Sequence, residues 1–365
     1  MLKPFVLSLL CAVIATDTTT LAFTNPAFGT IDQRQSPRIV PTQTTPQTIR
    51  NAEADTASGR SDSSASTHLQ SQSICTFDES DFSGRTSWPY TAADLNRLDN
   101  SDDSKFYDDP RLVTHIDDMA IDSLSEYYRE SFEGMANAKA NTNEPMTIDV
   151  LDLCSSWISH LPEVNSDSNF RYGNVVGFGM NQKELDENPQ LTSNVVQDLN
   201  VSPSLAALDN ESFDFVTMTV SIDYLIKPLE VVQEIRRVLK PNGSALISFG
   251  DRCFATKAVA MWLQADAIER ITIVASYFHY AQYDQEGNTE GGDDSNDGKD
   301  EQLFRWKSIE AFDLKDEAVE LPTKPSMKEL VSNPTLGVAW MNAAAAVQKR
   351  NQSDPLFVIK ATRQE

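Results

Sequence analysis

From about residue 106 onward, apolar positions alternate between helical and strand-like periods. Met119, Ile121, Leu124, Tyr127, Tyr128 and Phe132 recur at helical spacing behind Asp117 and Asp118, and predict an amphipathic helix whose first turn carries acids. Short apolar runs follow at Ile148 to Leu153, Asn174 to Phe178, Asn194 to Gln197, Phe213 to Val220 and Ser244 to Phe249. They read as buried parallel strands. Between the last two, Leu229 to Leu239 places Val232, Ile235, Val238 and Leu239 on one helical face, and Pro241-Asn242-Gly243 supplies a turn. Met327 to Val347 reads as partly helical, with Pro334 breaking or beginning the helix. Alternation of this kind predicts an α/β sheet with helices on both faces.

The first 73 residues have a different character. Lys3 precedes an apolar run from Phe5 to Ala15, too short to span a bilayer, and Thr20-Leu21-Ala22 offers a cleavage point, so residues 1–22 read as a signal peptide. Residues 23–73 lack the apolar content for a core; Phe23 to Arg50 is rich in Thr, Gln and Pro, with Asp32 as its one acid. A signal peptide followed by Phe23 and an acid-poor, Thr-rich stretch resembles the bipartite plastid presequence of algae with secondary plastids. The expectation is delivery to a plastid, the alternative a secreted protein with a disordered linker. The folded domain is placed at residues 74–365, with a flexible acidic loop at 284–301, where eight acids meet one lysine, and an insertion at 302–352.

Composition narrows the function. Lys plus Arg total 30 against 54 Asp plus Glu, a formal charge of -24, which repels nucleic-acid backbones. Cys11, Cys75, Cys154 and Cys253 show neither zinc-site spacing nor a disulfide framework, and no metal site is expected. No stable membrane span is expected in the mature protein, and the sequence does not fix its oligomeric state.

Two phrases carry a resemblance. Phe213-Asp214-Phe215-Val216 and Glu234-Ile235-Arg236-Arg237-Val238-Leu239-Lys240-Pro241-Asn242-Gly243 resemble the class I S-adenosylmethionine-dependent methyltransferases of the type 11 group, with Asn242 in place of a glycine. The resemblance implies a seven-stranded, mostly parallel Rossmann-like sheet with an antiparallel last strand. Ile271 to Phe278 and Pro355 to Ala361 would form the closing pair, and Arg111 to Asp118 a lid. It also implies S-adenosylmethionine as cofactor and methyl transfer to a small-molecule acceptor.

By that resemblance, Asp152 in VLDLCSSW is the acid that engages the cofactor's amino group, and Asp198 in VVQDLN the acid that receives the adenine amine. Alternatively Asp152 caps the next helix, and Asp198 makes an Asx turn. Cys154, Ser156 and Ile158 stand where the family has glycines; Ser155 and Ser156 retain donors for a carboxylate. Gly177-Phe178-Gly179 ends without the acid that holds the ribose hydroxyls, and Asn181 is the nearest substitute. Ser221, Asp223 and Tyr224 follow the fourth strand, where methyl transfer takes place in the family; Asp223 alternatively caps a helix. His160 is a candidate base, near Trp157 if that segment is helical, or else a surface histidine. His115 either closes a lid or starts a helix. Tyr277, Phe278, Tyr280 and Tyr283 form either a cation cage or core.

The altered glycine loop also suits a non-catalytic methyltransferase-like binding protein. A nicotinamide-dependent oxidoreductase would need a glycine-rich phosphate turn that the chain lacks.

Overall fold

The computed structural model describes residues 71–82, 87–139, 144–283, 306–315, 322–326, 332–333 and 335–365. The signal-peptide reading, nearly all of the leader and the acidic loop fall outside the described residues.

An eight-stranded sheet organises the chain: β1 Gln72–Phe77, β2 Met146–Ser155, β3 Phe170–Gly179, β4 Ser193–Val196, β5 Phe213–Thr219, β6 Leu239–Gly250, β7 Trp306–Asp313 and β8 Leu356–Arg363. The order is β1-β7-β8-β6-β5-β2-β3-β4. β4, β3, β2, β5 and β6 pair in parallel, whereas β8 runs antiparallel to β6 and to β7. The parallel part of the sheet starts at β2, builds outward through β3 and β4, then crosses back to add β5 and β6. The switch point therefore lies between β2 and β5, where ligands bind in open α/β sheets.

Successive strand residues feed opposite cores, which is why these strands read as unbroken apolar runs. Leu151, Leu153, Val216 and Ile247 join the core containing α4 (Pro228–Val238) and α6 (Ala267–Tyr280); Val150, Phe215 and Leu246 join the core containing α2 (Asp118–Lys139). The remaining helices are short, α1 (Asp103–Phe106), α3 (Gln182–Asp186) and α5 (Ala260–Gln264), apart from α7 (Thr335–Asn351), which starts directly after Pro334.

Four expectations change. Ile271 to Phe278 lies inside α6 and is not a strand: the capping box of Asp266 and Glu269, with reciprocal bonds of 2.9 Å, starts a helix that overrides the β-branched run. The closing pair is β7 with β8, so part of the expected insertion belongs to the sheet. Tyr277, Phe278 and Tyr280 are buried in the core and build no cage. An eighth strand, β1, covers the edge of β7.

At the carboxyl end of β2 and β3 the backbones come so close that a Cβ at Gly179 would collide with the Ser155 carbonyl oxygen. The position that carries the ribose acid in the resembling family has no room for a side chain here. Gly179→Ala is expected to destabilise the fold by about 2 kcal/mol or more through overpacking against immovable backbone, as read by urea denaturation.

Candidate functional site

Side chains at the carboxyl ends of β2, β3, β4 and β5 open into a cavity of about 260 Å³. Asp152, Cys154, Ser155, Ser156, His160, Gly179, Asp198, Ser221 and Tyr224 line it. The segment ahead of α2 covers it with Tyr107, Arg111 and His115, and Thr219 and Phe254 complete the wall.

β2 runs into residues 156–169, which form no helix, so the conditional pairing of His160 with Trp157 on a helix does not arise. Hydrogen bonds fix the loop instead. The Ser159 hydroxyl donates to Asp152 Oδ2 at 2.7 Å, and Thr217 Oγ1 donates to Asp152 Oδ1 at 3.1 Å. Asn188 Nδ2 donates to the Ser156 carbonyl oxygen and to Ser159 Oγ, both at 2.9 Å. The Ser156 hydroxyl donates to Glu184 Oε2 at 2.6 Å, and the Arg111 backbone N–H donates to Glu184 Oε1 at 2.7 Å. Glu184 thus ties the loop to the segment ahead of α2.

Asp152 is 3% exposed, and burial pushes its carboxyl up to about 6 despite the bonds from hydroxyls. It caps no helix; it anchors its own loop. Cys154 takes a left-handed φ of 55°, so the bend a glycine would make is kept while a side chain occupies the space. Burial pushes its thiol up to about 12, which leaves it protonated and unsuited to act as a nucleophile. His160 and Val220 are also left-handed, with φ of 55° and 40°, and strain of about 1–3 kcal/mol each is concentrated on the cavity wall.

His160 Nδ1 is buried without a partner, and burial, then His115, lower the imidazole to about 4. It is neutral at physiological pH and able to accept a hydrogen bond. His115, in the segment ahead of α2, also lines the cavity, and burial lowers its imidazole. Asp198 makes the Asx turn, its Oδ1 accepting from Asn200 N at 2.8 Å and Val201 N at 3.3 Å, and still faces the cavity. The Ser221 hydroxyl donates to the Thr219 carbonyl oxygen at 2.8 Å, and Tyr224 Oη accepts from Phe254 N at 2.9 Å.

Two candidates are displaced. Asn181 Oδ1 caps α3 and its Nδ2 donates to the carbonyl oxygens of Tyr107 and Asp108 at 2.8 and 3.0 Å, so it pins the lid and is not on the cavity wall. Glu184 is the carboxylate that faces the cavity from this segment. Its spacing from Asn181 reads as a helix start, which hides its second role. Asp223 likewise lies off the wall, 3% exposed, with Oδ2 unpartnered. Among the described residues no cluster of His, Cys, Asp or Glu is arranged to hold a metal.

Strand order and the cavity at the switch point define a Rossmann-like, mostly parallel α/β fold closed by an antiparallel strand. Residues 164–247 match the family model described as a methyltransferase domain. Similar solved structures include an S-adenosylmethionine-dependent methyltransferase from Mesorhizobium loti, at 12% identity and TM-score 0.31, covering 67% of this chain and 100% of that one. Another, from Archaeoglobus fulgidus, has 12% identity and TM-score 0.32, covering 66% and 98%. No curated protein matches the sequence.

Burial, opposed by Arg270 and Tyr224, pushes the Asp223 carboxyl up to about 8. The folded chain then keeps a proton that the unfolded chain releases near the ordinary value of 3.8. Stability from this group is full below that value, declines by up to about 1.4 kcal/mol per pH unit as pH rises, and levels off above about 8. Asp223→Asn is expected to flatten that slope in denaturation curves taken from pH 5 to 9 and to raise stability at pH 8.

Proposed function

We propose that the protein transfers the methyl group of S-adenosylmethionine to a small-molecule acceptor. The observation that carries the reading is the switch-point cavity, whose wall brings Asp198, Ser156, Ser221 and the unpartnered His160 nitrogen together. When bound, the cofactor supplies an electrophilic methyl on a cationic sulfur. The residues present fit it: Asp103, Asp152, Glu184, Asp198, Asp251 and Asp354 on the wall outnumber Arg111 and Arg252, and a wall of that sign attracts a cation.

Asp198 would accept from the adenine amine with the carboxylate capacity its turn leaves over, and Ser155 and Ser156 would meet the amino-acid end. Neutral His160 would accept a hydrogen bond from the acceptor's O–H or N–H and hold its lone pair toward the methyl, so that the work is chiefly positioning. Tyr224, whose hydroxyl is fixed by Phe254 N, would wall the transfer side. We propose that a bipartite presequence delivers the protein to a plastid, supported by the Phe5 to Ala15 run, Ala22 and Phe23.

A second reading, ligand binding without transfer, draws on the Cys154 side chain in a glycine's place and on the full engagement of Asp152. Methylated product separates the two.

Calorimetric titration of the full chain with S-adenosylhomocysteine tests the cofactor claim. Asp198→Asn keeps the turn-forming oxygen and removes the charge, so affinity is expected to fall about tenfold or more with an unchanged melting temperature. Equal affinity in the variant would remove Asp198 from the site; absence of binding to the wild type would remove the cofactor. With an acceptor found by screening, His160→Ala is expected to lower kcat, and wild-type activity is expected to show no loss from His160 protonation between pH 8 and 6, since that occurs near pH 4.

A further inference from the structure

Arg111 stands out among the cavity side chains. Its guanidinium carbon lies 4.4 Å from the ring centroid of Phe106, 5.4 Å from that of Phe254 and 5.7 Å from that of Tyr107, and Nη2 donates to the Phe106 carbonyl oxygen at 2.8 Å. Its backbone N–H is held by Glu184. The other wall arginine, Arg252, pairs with Asp354 at 2.8 Å; among the described residues no ion pair engages the Arg111 guanidinium. In a chain of charge -24, an arginine is thus positioned by rings and a carbonyl while its charge is left for something else. Rings engage the flat faces of a guanidinium, and its N–H donors lie in the plane, in the fork that matches a carboxylate.

The neighbourhood gives that charge a purpose. Residues 156–169 form no helix, so the backbone N–H array that receives anions at a helix N-terminus is missing beside β2. His115 and His160, the other basic side chains near Arg111 on this wall, are both lowered by burial and carry no charge at neutral pH. An anion entering this part of the cavity finds its countercharge on Arg111.

We propose that Arg111 is the carboxylate-binding residue of the cavity, receiving either the carboxylate of the cofactor's amino-acid end or a carboxylate on the methyl acceptor. The identity of the adenosyl probes in the test rests on the methyl-transfer reading. The full chain is titrated with S-adenosylhomocysteine and with its decarboxylated analogue, and then, with S-adenosylhomocysteine saturating, with benzoate. Arg111→Met and Arg111→Lys are run beside the wild type.

If the carboxylate is the cofactor's, the wild type prefers the carboxylated ligand by about tenfold or more; the preference disappears in Arg111→Met and partly returns in Arg111→Lys. If it is the acceptor's, the two adenosyl ligands bind alike, benzoate binds the saturated wild type, and Arg111→Met loses benzoate alone. Equal adenosyl affinities together with no benzoate binding in the wild type overturn the proposal whatever the variants do. Should neither adenosyl ligand bind the wild type, the methyl-transfer reading fails, and benzoate titrated into the free chain decides Arg111 separately: binding lost in Arg111→Met supports the subsite, and no binding overturns it.

Discussion

The site depends on the burial of one carboxylate. Asp152 sits at the carboxyl end of β2, where two hydroxyl donors hold it and, among the described residues, no ion pair engages it. An unpaired buried charge costs several kcal/mol, so both donors must stay in place. Ser159 can reach Asp152 only if the loop folds back over the strand end, and Asn188 holds Ser159 in that position. The path of the loop, the place of Ser156 and the inward turn of His160 therefore follow from satisfying a single acid. A glycine-rich turn followed by a helix would solve the same problem with backbone groups; here the hydroxyls of Ser159 and Thr217 do so, with Asn188 holding Ser159.

The cavity keeps the conformation of such a turn while losing its openness. Cys154 adopts the left-handed bend that a glycine takes freely, and lines the cavity. Gly179, by contrast, stays a glycine because the Ser155 carbonyl leaves no room. β2 and β3 converge at their carboxyl ends, and the acid usual at the β3 position is excluded sterically. Glu184, one helical turn on, brings a carboxylate to the cavity from a position where the backbones have separated.

The phrases that made the fold legible lie far from the chemistry. Lys240 of the Leu-Lys-Pro-Asn-Gly run bonds Asp149 and Asp214 at 2.7 Å each, and Asp214 Oδ2 also accepts from Asp149 N, so the Phe-Asp and Lys-Pro signals form a clip where β5 and β6 begin. A clip of that kind identifies the sheet and says little about its opposite end. The apolar runs located β2 to β6 and β8 because both faces are buried. They failed for Ile271 to Phe278, where capping decided the conformation, and for β1, whose largely exposed strand carries no apolar pattern. Asp152, Asp198 and His160 were legible as wall residues; the engagement of Asn181 and the seclusion of Asp223 depend on partners more than thirty residues away or on burial, which no local pattern encodes.

Closure of the cavity is built into the ionic core beside it. Arg97 and Asn200 both donate to Asp103 Oδ2, at 2.7 and 3.0 Å, while Lys257 lies 3.1 Å from Oδ1, and the three charged side chains are at most 6% exposed. Replacing such a network with apolar residues is often neutral or stabilising, so its presence argues for specifying one arrangement. What it specifies is readable from Asn200, which also donates to the Tyr224 carbonyl oxygen and accepts from Ile226 N. One amide therefore joins the lid, the turn after Asp198 and the segment after β5. These three pieces each line the cavity, and because a buried carboxylate fixes the amide, this part of the wall is held in one arrangement. Preorganisation of that kind lowers the ordering cost of binding, and it accounts for a charged core in a place where apolar packing would have given equal stability.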